Sequence, residues 1–208
     1  MLHPHTELRF INDTIGYGIF ATHDIPKGTI TYAKDALEIQ ITPEAYNQLA
    51  GDYKRISDKY SYIDENGIRI ISWDHAKYMN HRCDCNSMST GYGFEIAIRD
   101  IQKDEEVTDE YALFNLEEDM PVACGCDNCR EVIRTDDIDR YHPEWDERIM
   151  QALQVFQQVE QPLLALLDHD TRINLMAYLN GHQEYRSVQQ LKFIPATKSR
   201  KTRGMIES

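Results

Sequence analysis

The sequence predicts a mainly β domain with α-helical additions, on three observations. The first 110 residues alternate short strand-like runs with turns marked by Gly and Pro. Beyond Cys129 the pattern changes to apolar residues at helical spacing. All five cysteines, Cys83, Cys85, Cys124, Cys126 and Cys129, fall in two tight clusters.

Gly18 to Thr22 and Thr29 to Ala33 read as strands joined by a Pro26–Gly28 turn, and Ala36 to Ile41 as a third. Thr42 is placed to cap a helical insertion from Pro43 to Ile56. Tyr60–Ile63 and Ile68–Ser72 flank Asn66-Gly67, the signature of a tight hairpin. Tyr92, Phe94, Ile96 and Ile98 alternate with Gly93, Glu95 and Ala97, which predicts a half-buried strand. Residues 21–27 echo residues 97–103, two copies being too few for a solenoid. Further on, Ile149, Leu153, Phe156 and Val159 form one stripe of a helix expected over Pro143–Val159, which Pro162 breaks. Leu163 to Leu167 read as a short apolar helix. Asp170 is placed to cap a last helix bearing Ile173, Met176, Ala177 and Leu179, with Gly181 at its end. These leucines read as core or docking residues.

The chain has 208 residues, of which 41% are hydrophobic, enough for a packed core in one domain with an appendage. No run approaches the roughly 18 apolar residues of a membrane span, and residues 1–10 lack the apolar stretch of a secretory signal. The expected compartment is therefore the cytoplasm, or the nucleus in a eukaryote, with no membrane partner. A net charge of −13 argues against direct nucleic-acid binding and is compatible with attraction to a basic protein segment. Oligomeric state is left open.

Cys124-Gly125-Cys126-Asp127-Asn128-Cys129 brings three thiols within reach of one ion, and its Gly, Asp and Asn spacers make a polar loop. Tetrahedral zinc takes four ligands, so the fourth comes from the other cluster, Cys83 or Cys85. An odd cysteine count argues against a disulfide framework.

Four islands then occur in order: Gly16-Tyr17-Gly18, Asn80-His81-Arg82-Cys83, Glu105 to Tyr111, and the C-x-C-x-x-C cluster. Together they resemble the SET family. Ile25-Pro26-Lys27-Gly28 and Lys77-Tyr78-Met79 resemble smaller family islands. The resemblance covers roughly residues 8 to 130. It implies a fold of small curved β-sheets with knot-like threading, the Asn-His segment passing under a loop that holds the catalytic tyrosine. It implies S-adenosylmethionine as cofactor and the lysine of a protein substrate as methyl acceptor. By resemblance, Gly16, Tyr17, Gly18, Asn80 and His81 bind the cofactor, and Tyr111 stands at the transfer site. Cys83, Cys124, Cys126 and Cys129 then hold a structural zinc beside the pocket, leaving Cys85 as the spare. The implied division is a SET domain over residues 1–117 with an insertion at about 42–60, and a post-SET zinc segment over 118–134. A helical region over 135–190 and a basic tail over 191–208 follow. Within that tail, Lys198 and Lys201 are candidate automethylation sites.

The chemistry of such a site has its own logic. Methyl transfer from a sulfonium needs a neutral amine, whereas free lysine titrates near 10.4. A dry channel and the neighbouring cation both disfavour ammonium. Alignment supplies most of the remaining acceleration, about 7–11 kcal/mol. Tyr111, protonated near neutrality, suits weak C–H···O contacts better than base catalysis. Tyr60, Tyr62 and Tyr78 are candidate channel aromatics. Two positions depart from the family. Asp109 stands where Phe or Tyr is usual and methylation degree is set; a carboxylate there could hydrogen-bond the incoming amine, and the alternative is a solvent-facing strand residue. Asp104 replaces a common glycine. The same features also fit a scaffold that binds cofactor or a protein tail without turnover, or a zinc-ordered assembly domain.

Overall fold

The computed structural model describes residues 1–195, so Lys198, Lys201 and most of the basic tail lie outside the described residues. A four-stranded sheet positions the site. β1 (Thr6–Asn12) and β2 (Gly16–Ala21) form an antiparallel hairpin in which Leu8 faces Ile19 and Phe10 faces Tyr17. The Asn12 side chain accepts the Thr14 and Ile15 N–H groups and closes the turn. No strand was expected over β1, whose Phe10 remains 57% exposed.

β3 (Ile30–Ala33) follows, then β4, which covers only Ile39–Ile41. The expected strand from Ala36 starts later because the Asp35 carboxylate accepts the Leu37 N–H and the Asp35 carbonyl accepts that of Glu38. Asx turns of this kind compete with strand pairing. The insertion is two helices, α1 (Pro43–Gln48) and α2 (Gly51–Tyr60), separated by extended Leu49 and Ala50. Thr42 caps the first by accepting the Ala45 N–H at 3.2 Å. β5 (Ser61–Ile63) and β6 (Arg69–Ile71) pair through the Asn66-Gly67 turn, with Gly67 at φ +77°, and β4 adds to β6.

β7 (Asn80–His81), β8 (Ser87–Ser89), β9 (Phe94–Ala97) and β10 (Glu106–Asp109) follow. β3, β9 and β8 form one three-stranded sheet, and β1, β2, β10 and β7 the four-stranded one. β9 is buried at all four residues, not half-buried. Phe94 and Ile96 enter one apolar cluster while Ala97 enters a second, so both faces are covered.

The echoed segments meet. Ile25 and Ile101 exchange both backbone hydrogen bonds, at 2.8 and 2.9 Å. The Asp24 carboxylate accepts the Lys103 N–H and that of Asp100 accepts the Lys27 N–H, each at 2.8 Å. Gly28 donates to the Ala97 carbonyl as Asp104 donates to that of Ala21. The two copies thus satisfy each other about a local two-fold.

β11 (Met120–Pro121) and β12 (Val132–Ile133) bracket the second cysteine cluster. α3 spans Asp137–Leu153 and contains Pro143, so it begins six residues before the expected start. The Asp137 carboxylate accepts the Arg134 N–H at the head of the helix. Ile149, Leu153 and Phe156 are buried, with Phe156 in a 3₁₀ turn beyond the helix. Residues 164–166 are also a 3₁₀ turn, with Leu163 and Leu167 buried beside it. α4 (His169–Leu179) is capped by Asp168, not Asp170, through the Thr171 N–H at 2.9 Å. Its buried residue is Leu175, whereas Ile173 is 51% exposed. Gly181, at φ +71°, donates to Tyr178 while His182 donates to Ala177, which closes the helix end. Among the described residues no helix is long and apolar enough to cross a membrane.

Candidate active site and cysteine centre

β7 and β10 pair in parallel, Thr108 opposite Asn80 and Asp109 opposite His81. The Asn80 amide donates to the Tyr17 carbonyl at 3.0 Å and to Glu106 Oε1 at 2.8 Å, tying the Gly16–Gly18 strand to β10. Gly18 is required there, since a Cβ would strike Glu106, Ile11 and the Asn80 amide. Gly16 answers a different need: it sits at φ +86°, with nothing within 4 Å of its Cβ position.

His81 Nδ1 lies 3.1 Å from the Asp109 carbonyl and 3.3 Å from the Tyr111 nitrogen. Burial, with the Arg130 charge second, lowers this ring to about 4, so it is neutral at ordinary pH. The Tyr111 hydroxyl donates to the Met79 carbonyl at 2.6 Å. Burial raises its pKa, and nearby Asp109, Glu106 and Glu95 push the same way, so the phenol keeps its proton. Its oxygen lone pairs remain available to a third group.

Cys124 is the hub of the sulfurs. Its Sγ lies 3.2 Å from that of Cys126 and 3.4 Å from that of Cys129. Cys83 Sγ and a His81 ring nitrogen lie within 4.8 Å of it. Against the upward push of burial, hydrogen bonds from Cys83, Cys126 and Cys129 bring the Cys124 thiol down to about 6. Cys85 is fully buried in the apolar core, and burial raises its thiol well above the usual range. Arg130, next after Cys129, donates its backbone N–H to Cys83 Sγ and grips the Glu110 carboxylate at 2.6 and 2.8 Å.

The sequence profile of the SET-domain family matches residues 16–112. Residues 16–112 are a SET domain by this match. The match takes in Gly16, Tyr17, Gly18, Asn80, His81, Cys83 and Tyr111, and ends before the Cys124–Cys129 cluster. The small sheets joined by the β7–β10 pairing are the SET-domain fold. The domain is also similar to a crystal structure of a Plasmodium falciparum protein provisionally assigned as a histone methyltransferase. That likeness has 17% identity and a TM-score of 0.37, covering 53% of this chain and 95% of that one. No curated protein matches the chain.

A cavity of about 670 Å³ opens between the α2–β5 segment and residues 114–121, with Tyr60, Tyr62, Met79 and Tyr111 in its wall. Tyr78 lies outside that wall and packs edge-on between Tyr60 and Tyr17, at 5.4 and 5.9 Å. Gly16, Tyr17, Gly18, Asn80 and His81 line neither this cavity nor a neighbouring one of about 620 Å³. Asp109 is 1% exposed, not solvent-facing, and lines the larger cavity with buried Glu95.

Several contributors carry no motif of their own. Asn86 donates to the Glu106 carbonyl at 2.8 Å and accepts the Thr108 N–H at 2.9 Å, which fixes β10 from within. Glu106 and Glu110 belong to the Glu105–Tyr111 island, but their partners Asn80 and Arg130 are set by tertiary contacts. The sole signal for Asn86 was its closeness to Asn80-His81 in the chain.

Proposed function

We propose that the SET domain moves a methyl group from S-adenosylmethionine to a lysine side chain of a protein substrate. The observation that carries this reading is the convergence of Asn80, His81 and Tyr111 on the β7–β10 pairing, with the Tyr111 hydroxyl turned onto the Met79 carbonyl. The open space beside Gly16 lets a ligand approach the backbone closely, which fits the cofactor with Tyr17, Gly18, Asn80 and His81 around it. When bound, S-adenosylmethionine supplies an electrophilic methyl group on a cationic sulfonium. Tyr111 donates to Met79 and so presents lone pairs, not a proton, to the methyl hydrogens. Methyl acceptor and donor would meet at Tyr111 from opposite faces, and the wall between them excludes water.

The cavity rim carries Asp58, Glu117, Glu118 and Asp119 against Lys59, Lys77 and Arg69, and Arg69 is already engaged by Glu117 and Asp58. Together with the overall charge of −13 this favours a basic protein segment and disfavours nucleic acid.

Cys83, Cys124, Cys126 and Cys129 fit a structural zinc. Arms of about 2.3 Å give sulfur–sulfur edges of about 3.8 Å. The 3.2 and 3.4 Å separations from Cys124 are shorter than that edge, and among the described residues the donor atoms that all lie within 4.8 Å of one another are those of His81, Cys83 and Cys124, so Cys126 and Cys129 would have to shift to close on the ion. Such an ion would tie the Cys124–Cys129 loop to the segment carrying Asn80 and His81 and order one wall of the cofactor face.

Calorimetry with S-adenosylmethionine on protein of measured zinc content tests the reading. Stoichiometric binding supports it, and no heat at millimolar cofactor removes it. Binding without transfer to any basic protein would favour a non-catalytic scaffold.

A further inference from the structure

The floor of the larger cavity holds a pair of acids that a dry lysine channel does not need. Asp109 and Glu95 are both buried and line the wall with Tyr32, Tyr62 and Tyr111. Asp109 Oδ1 accepts the Glu110 N–H at 2.6 Å, while Oδ2 has no hydrogen-bond partner among the described residues. Glu95 receives a long contact from the Ser87 hydroxyl, at 3.5 Å, and lies within hydrogen-bond reach of the Asp109 carboxyl, so the two acids can share one proton. Among the described residues neither acid pairs with a lysine or arginine. An unpaired buried carboxylate oxygen costs several kcal/mol unless a donor reaches it. A cavity beside the pair is where such a donor would arrive.

We propose that the Asp109–Glu95 pair receives a primary ammonium entering this cavity and takes its proton, selecting for a nitrogen that still carries N–H bonds. The inference rests on the methyltransferase reading only for the identity of that amine. One carboxyl keeps its proton and the other carries the charge, as two close acids must. Burial first, and the Asp109 charge second, push Glu95 well above the usual range, while burial pushes Asp109 up to about 7. Other charges act at one remove: Glu110, itself held by Arg130, and the N-terminal amine near Glu95. In the step, one N–H bond of the ammonium breaks and an O–H bond forms on Asp109, leaving a neutral amine and a neutral acid. The amine lone pair is then free to attack, and the acid returns its proton to water when the product leaves. A quaternary ammonium has no N–H to give and leaves the pair with only the proton it already holds.

The test titrates the full chain with n-butylammonium and n-butyltrimethylammonium, followed by NMR, with no cofactor present. The expected result is at least tenfold tighter binding of the primary amine, and at least a tenfold loss of that binding in Asp109→Asn with the quaternary ion unaffected. Equal affinity of the wild type for the two ions, or no binding of either, overturns the proposal without using any variant. Glu95→Gln is the second variant: discrimination lost in either substitution supports the pair, and discrimination kept in both overturns it. Cofactor calorimetry is read separately. Protein that discriminates the amines but ignores S-adenosylmethionine keeps this inference and removes the methyltransferase reading, and the converse result does the reverse.

Discussion

Arg130 holds the Glu110 carboxylate through one guanidinium nitrogen at 2.6 and 2.8 Å, joining the residue after Cys129 to the residue before Tyr111. The same side chain reaches Asp137 at 3.2 Å and lies 5.3 Å from the Tyr141 ring centre. It therefore links three parts of the chain: the cysteine loop, the Tyr111 turn and α3. Glu110 is 1% exposed, so it cannot exchange this partner for water.

Truncating Arg130 to Ala should therefore cost about 3–5 kcal/mol, the range for breaking a buried pair by removing one partner. Urea unfolding of wild type and variant measures it. A loss below about 1 kcal/mol would place the pair among ordinary surface bridges.

The echoed turns make a second, sharper comparison. Gly28 and Asp104 hold equivalent places at φ +89° and +69°. A Cβ at Gly28 would meet the Ala152 carbonyl oxygen at 2.8 Å, so Gly28→Ala should destabilise by at least about 2 kcal/mol. Asp104→Gly should do the opposite. It relieves a left-handed aspartate and gives up only an exposed contact to Arg9, so the net effect is a gain in stability. Thermal unfolding of the two variants should shift in opposite directions.

Asp109 gives stability a pH signature. Its folded pKa of about 7 lies above the ordinary 3.8, so the folded state holds a proton that the unfolded chain releases. This contribution is fully present below about pH 4 and is lost as pH rises to about 7. Asp109→Asn removes the dependence. Its melting temperature should exceed wild type by about 5 °C at pH 8 and match it near pH 4. Parallel curves across that window would show that Asp109 titrates normally.

Chelation addresses the sulfurs. Removing zinc should unfold residues around Cys124–Cys129 and weaken cofactor binding at least tenfold, with recovery on adding zinc. Cys85→Ala should leave metal content unchanged while costing stability, because that thiol packs in the core.

Much of this arrangement was legible in the residues. The Thr42 cap, the Asn66-Gly67 hairpin and the Gly181 helix end follow from local turn chemistry, and the structure has all three. The islands from Gly16 to Cys129 pointed to the SET family because four short patterns in one order rarely arise by independent chance. What stayed hidden depends on tertiary partners. β9 alternates like a half-buried strand, yet a second cluster covers its other face. Pro143 looks like a helix start, but the Asp137 carboxylate anchors the chain earlier through Arg134 and Arg130. Asp109 has the composition of a surface residue and is buried because its strand places it beside Glu95 of β9 at the wall of the larger cavity. The Arg130–Glu110 pair spans 20 residues with no motif to announce it.

The most direct measurement is transfer of labelled methyl from S-adenosylmethionine into a lysate of basic proteins, with Tyr111→Phe run alongside. The account predicts label on lysine with the wild type, reduced at least a hundredfold in the variant, which loses the hydroxyl now held on Met79. Undiminished labelling by Tyr111→Phe, or none by zinc-loaded wild type that binds the cofactor, would contradict it.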